Sequence, residues 1–178
     1  MSKYPISLAS SIGIRPSVSP EMRLATDWQR LWRSIASTER TWRTLALVPG
    51  GPGVAAETYL QIAAALAETG TRYLRTPVHV ANAMDLEPTQ VTQFWEELNQ
   101  YMGSSTKMIV AVSALSANAS SLPLAKGADG ALLCLLLGEI SNPDARETLA
   151  QVGAPHFLGS AVFRLPVRVP KAAKARKV

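Results

Sequence analysis

The chain has little of what most reactive sites are built from. Its only cysteine, Cys134, cannot close an internal disulfide and lies in an apolar run, as a buried inert thiol would. The two histidines, His79 and His156, have no Cys, Asp or Glu beside them at ligand spacing, so neither marks a zinc site and no metal is expected. Ser113, Ser116 and Ser120 are not set in a G-x-S-x-G elbow, which argues against serine hydrolase chemistry. The longest apolar run, Ala131 to Leu137, is far short of the ~20 residues of a spanning helix. Lys3 and Arg15 fall in the first residues without an apolar region and a small-residue cleavage site behind them, so no secretory signal is read and a cytoplasmic location is expected.

With 178 residues, 47% apolar and 17% charged, the chain can bury one core but not two. The net charge of +5 is mostly a tail: Lys171, Lys174, Arg176 and Lys177 account for all but one of those charges. A nearly neutral body with a basic end argues against a nucleic-acid face on the body, while the tail suits phosphates or an anionic membrane surface. Three parts follow: a flexible leader over 1–25, a single α/β domain over 26–166 and a basic tail over 167–178.

Apolar residues Trp28, Leu31, Trp32 and Ile35 recur at helical spacing behind Thr26, a residue able to cap a helix, leaving Arg30 and Arg33 off the stripe. Trp42 to Val48 favours a strand, and Val54 to Glu68 a helix closed by Gly70. Tyr73 to Val80 predicts a second strand that Pro77 places at an edge. A helix follows over Pro88 to Met102, then two strands apolar on both faces, Lys107 to Val112 and Ala131 to Leu137, with a short helix within Ser116 to Lys126 between them. Glu96, Glu97, Asp85 and Glu87 read as a solubilising set. Asn142 caps a helix ended by Gly153, and Phe157 to Leu165 forms the last strand. This alternation predicts a mainly parallel sheet with helices on both faces and right-handed crossovers.

Between the first strand and its helix lies Pro49-Gly50-Gly51-Pro52-Gly53, where doubly wound proteins cradle phosphate on backbone N–H groups. A working G-x-x-x-x-G-K-[ST] loop needs an ammonium group and a metal-binding hydroxyl, but Gly53 is followed by Val54, Ala55 and Ala56. Pro52 removes a further N–H, and Thr58 comes too late. Gly50, Gly51 and Gly53 are thus a degenerate phosphate loop, or simply a tight connection.

Several segments resemble, in order, the bacterial tyrosine kinases of capsule and exopolysaccharide systems, in the MinD/ParA group of P-loop proteins. Asp27-Trp28-Gln29-Arg30-Leu31-Trp32-Arg33-Ser34 is similar to the E-x-x-R-x-x-R-[ST] helix, and Arg43 to Gly53 to the strand and loop of the nucleotide site. Ala125 to Leu133 and Leu149 to Gly159 resemble later segments. The resemblance implies a P-loop NTPase-like fold and a cytoplasmic protein that is peripheral to the inner membrane. It further implies a ring of copies joined through the first helix (Asp27, Trp28, Arg30, Trp32, Arg33) and an inner-membrane polysaccharide co-polymerase as partner.

Measured against that family, five catalytic parts are missing. Val54 replaces the Walker A lysine, and Val112-Ser113-Ala114-Leu115 lacks the Walker B acid. The stretch Arg75 to Val80, where an Asp-x-Asp motif would fall, has no acid. Phe163 or Arg164 stands for the Asn beside the base, and no tyrosine follows Tyr101. Since phosphoryl transfer rests on positioned cations and dipoles, these losses predict a protein without catalytic activity or resident cofactor, an interaction or assembly subunit in exopolysaccharide biosynthesis and export. The alternatives are a nucleotide sensor without hydrolysis and a ParA-like DNA-associated regulator using the tail.

Overall fold

A computed structural model describes residues 27–164; the leader over 1–25, the Thr26 cap and the tail over 167–178 lie outside them. The elements are α1 (Asp27–Ala36), β1 (Thr44–Pro49), α2 (Ala56–Leu74), β2 (Val78–Asn82), α3 (Val91–Tyr101), β3 (Lys107–Ala111), α4 (Ser121–Gly127), β4 (Gly130–Leu136), α5 (Asn142–Val152) and β5 (Phe157–Phe163). Short 3-10 turns at Pro88–Gln90 and Ala154–His156 precede α3 and β5. The strands form one five-stranded sheet, ordered β2-β3-β1-β4-β5, with every neighbouring pair parallel. This is the expected α/β class, and it is consistent with a P-loop NTPase-like arrangement.

Strand order decides which face each helix covers. From β1 the chain crosses to the β2 edge, and its three later crossovers all run the other way. Right-handed connections therefore put α2 on one face and α3, α4 and α5 on the other. Burial follows this division. Leu45, Leu47, Ile109, Leu132 and Cys134 pack with α2, while Ala46, Val48, Met108, Val110 and Ala131 pack with α3 and α4.

One helix cannot roof five strands. On the α2 face, the β4–β5 half is covered by α1, whose Trp28, Trp32 and Ile35 are buried in the chain's own core. Trp28 lies against Phe163 with ring centroids 5.4 Å apart, and Trp32 stacks on Trp42 at 6.1 Å. The Trp32 indole N–H donates to the Leu66 carbonyl at 3.0 Å. The apolar stripe that the resemblance turns toward a neighbouring subunit thus faces this sheet, and Arg30 and Arg33 form the exposed side of the helix.

Several boundaries differ from the sequence reading for local reasons. The second helix continues to Leu74 and ends on Arg75 in the left-handed region (φ 53°). Gly70 lies inside it, because a Cβ there would come within 2.2 Å of Trp32 Cζ2. Consequently β2 begins at Val78 and ends at Asn82, although it is an edge strand as Pro77 implied. Before α3, Glu87 and Gln90 close a reciprocal capping box around a 3-10 turn. The cap of α5 is Ser141, whose hydroxyl accepts from the Asp144 N–H, so Asn142 is its first residue.

At the other end of the sheet, Asp129 ties β4 to β1. Its Oδ2 accepts from the N–H groups of Arg43 and Thr44, both at 2.8 Å, and from the Thr44 hydroxyl at 3.0 Å. Partial burial pushes this carboxyl's pKa up, but the three hydrogen bonds and the Arg43 charge outweigh it and hold the pKa below the usual carboxylate range. Nearby, the Lys107 ammonium donates to the Trp42 carbonyl and lies 4.1 Å from the centre of its ring.

Candidate functional site

In an open parallel sheet, ligands bind beyond the carboxyl ends of the strands near the point where the strand order reverses. Here that point is the end of β1, between β3 and β4. Pro49, Gly50 and Gly51 are buried, and the Gly50 N–H donates to the Cys134 carbonyl at 2.8 Å, which holds the loop onto β4. Pro52 and Gly53 are exposed, with Gly53 at φ 100°, a conformation side chains rarely adopt. The helix then starts at Ala56 behind Ala55, whose methyl group offers no cap. The loop is thus a turn of small apolar residues at the N-terminus of α2, where the first N–H groups of a helix lack intrahelical partners.

The side chains around this loop have the wrong sign for phosphate. Asp144, in the first turn of α5, packs against Gly51 so closely that a Cβ on Gly51 would come within 2.8 Å of its own Cβ and 3.5 Å of its Oδ2. Glu57 is a second carboxylate in the first turn of α2. Both complement their own helix dipoles and repel an incoming polyanion. Val54, at the lysine position, packs partly buried against the core. Thr58, the first hydroxyl, is half-buried a turn into the region, its N–H turned back to the Ala55 carbonyl. The residues present do not fit a magnesium triphosphate.

The neighbouring loops are occupied with each other. The Ser113 hydroxyl, just past β3, donates to the Met84 carbonyl at 2.9 Å, and the Asn118 amide donates to the Met84 and Leu86 carbonyls at 2.9 and 3.1 Å. The Ser120 hydroxyl donates to the Leu86 carbonyl at 2.5 Å. These polar groups stitch the loop after β3 to the loop after β2. Because β2 ends at Asn82, the residues beyond it are Ala83, Met84 and the exposed Asp85, and Asn82 Oδ1 accepts from the Met84 N–H at 3.1 Å. The acid-free stretch Arg75 to Val80 is therefore the turn after α2 and the start of β2, and the segment beyond the strand does carry one acid, Asp85.

The remaining candidates are structural in their contacts. Burial pushes the Cys134 thiol pKa up, so the sulfur stays protonated beneath α2. A ring nitrogen of His156 lies 2.8 Å from the Ala125 carbonyl, and His79 sits edge-on to Tyr101. Glu97 accepts from Gln93 on α3. Among the described residues, no group of three His, Cys, Asp or Glu side chains could hold a metal, and no helix is long and apolar enough to cross a membrane.

Sequence reasoning missed Asp144, because its approach to Gly51 joins α5 to the β1 loop across most of the chain. Only the acid's place in a helix's first turn was visible beforehand. Fold and loop together define a parallel α/β protein with a P-loop-like layout and an uncharged loop. Set against family models, curated proteins and solved structures, the chain matches none.

Proposed function

We propose that this protein is a catalytically silent, P-loop-like subunit that acts through protein contacts, in the setting the sequence resemblance suggests: exopolysaccharide synthesis and export at the cytoplasmic side of the inner membrane. The observation that carries this reading is electrostatic. Asp144 and Glu57 stand around the β1 loop, Val54 stands where phosphoryl transfer needs an ammonium group, and Val112-Ser113 stands where it needs a metal-binding acid. What persists is the shape of the sheet and an exposed basic pair on α1, Arg30 and Arg33. Such a pair suits acidic groups on a second copy or on a membrane-bound partner.

Calorimetry with magnesium ATP and ADP tests the silent loop: no heat of binding and no phosphate release are expected. Micromolar binding without release would instead favour a nucleotide sensor. Size-exclusion chromatography with light scattering tests the contact role. Assembly lost on replacing Arg30 and Arg33 by glutamate is expected, whereas a strict monomer unaffected by those changes overturns it.

A further inference from the structure

Among the described residues, β5 is an edge strand of the sheet. The Phe163 carbonyl accepts from the Leu137 N–H at 2.8 Å, so the backbone of Phe163 faces β4. Alternation along the strand then turns the N–H and C=O groups of Ser160 and Val162 away from β4, toward an edge that no described strand occupies. Ser160 is exposed, and Val162 is 57% exposed on this edge.

Beside it, between α5 and the β4–β5 face, runs a groove of about 460 Å³. Its apolar surface is Leu133, Leu135, Leu149 and Phe157, and Arg146 stands on its α5 side. Arg146 is exposed and makes no ion pair among the described residues, while the adjacent Glu147 is engaged by Gln151.

We propose that this edge is a docking site for an extended, acidic segment of another protein. The segment pairs with the outward groups of Ser160 and Val162, lays an aliphatic side chain in the groove and sets a carboxylate against Arg146. Charge complementarity selects this occupant. The β5 strand of a second copy, Phe157–Phe163, contains no acid to offer Arg146. Residues 165–178 contain none either, and in residues 1–26 the one acid, Glu21, is outnumbered by Lys3, Arg15 and Arg23, so neither is an acidic segment. The inference is independent of the loop's chemistry, so ATP binding would overturn the function proposed above and leave this site untouched.

The test uses the full chain and a fluorescein-labelled octapeptide that alternates valine with glutamate and threonine, read by fluorescence anisotropy. A second probe has lysine for each glutamate. The glutamate peptide is expected to bind at least about tenfold more tightly than the lysine peptide, one charge contact being worth on the order of that factor. Arg146→Glu is expected to invert the preference, a charge swap that a merely structural role would not produce. Val162→Pro, which removes an outward N–H and no ladder bond, is expected to weaken both peptides. No binding by the full chain, a preference unchanged in Arg146→Glu, or binding seen only after removing residues 1–26 or 165–178 overturns the proposal.

Discussion

Trp32 and Gly70 depend on each other. In an exposed helix interior, replacing glycine by alanine gains roughly 1 kcal/mol, but here the new methyl group would lie 2.2 Å from the indole. Gly70→Ala is therefore expected to destabilise the protein, and in a Trp32→Ala background the same change should become stabilising. Trp32→Ala alone should cost about 3–5 kcal/mol as a cavity in the core. Denaturant melts of the four proteins measure the cycle. Asp129 gives a second residue-scale prediction. Its folded pKa lies below its unfolded one, so its stabilisation is present above the unfolded pKa, roughly 3.9, and is lost as pH falls through the folded value. Asp129→Asn should lower stability at neutral pH, and the gap from the parent protein should close in melts taken below about pH 4.

At the scale of elements, α1 is the piece whose role most depends on its surroundings. The strand order sends only one crossover helix to its face, so α1 roofs the β4–β5 half, with Trp28 on Phe163. Removing residues 1–36 should expose Leu132, Leu136 and Ala161, abolish cooperative unfolding and induce binding of an apolar dye; cooperative unfolding retained would show that α2 suffices. The helix itself was legible from the i, i+3, i+4, i+7 spacing of its apolar residues. Its partner was not, because a buried stripe and a docking stripe have the same pattern in one dimension. The ends of α2 and β2 differ from the sequence reading for a related reason: Gly70 looks like a helix stop, and only the indole above it shows that its missing side chain is used for close approach.

For the whole molecule, charge is divided between a nearly neutral body and the four cations among residues 171–178. Deleting 171–178 should abolish any retention on a polyanion column at low salt, the salt dependence marking a purely electrostatic contact; unchanged retention would place that affinity on the body. The alternation of strands and helices, the two-faced burial of β3 and β4 and the absence of an ammonium group after Gly53 are all legible in the sequence, because each depends on neighbours a few residues away. Those features the sequence settled alone. The folded chain decided the rest: that α1 roofs its own sheet, that Asp144 stands against Gly51, and that β5 is the edge strand among the described residues, beside Arg146. Each of these joins segments far apart along the chain, and only strand order and crossover handedness bring such segments together.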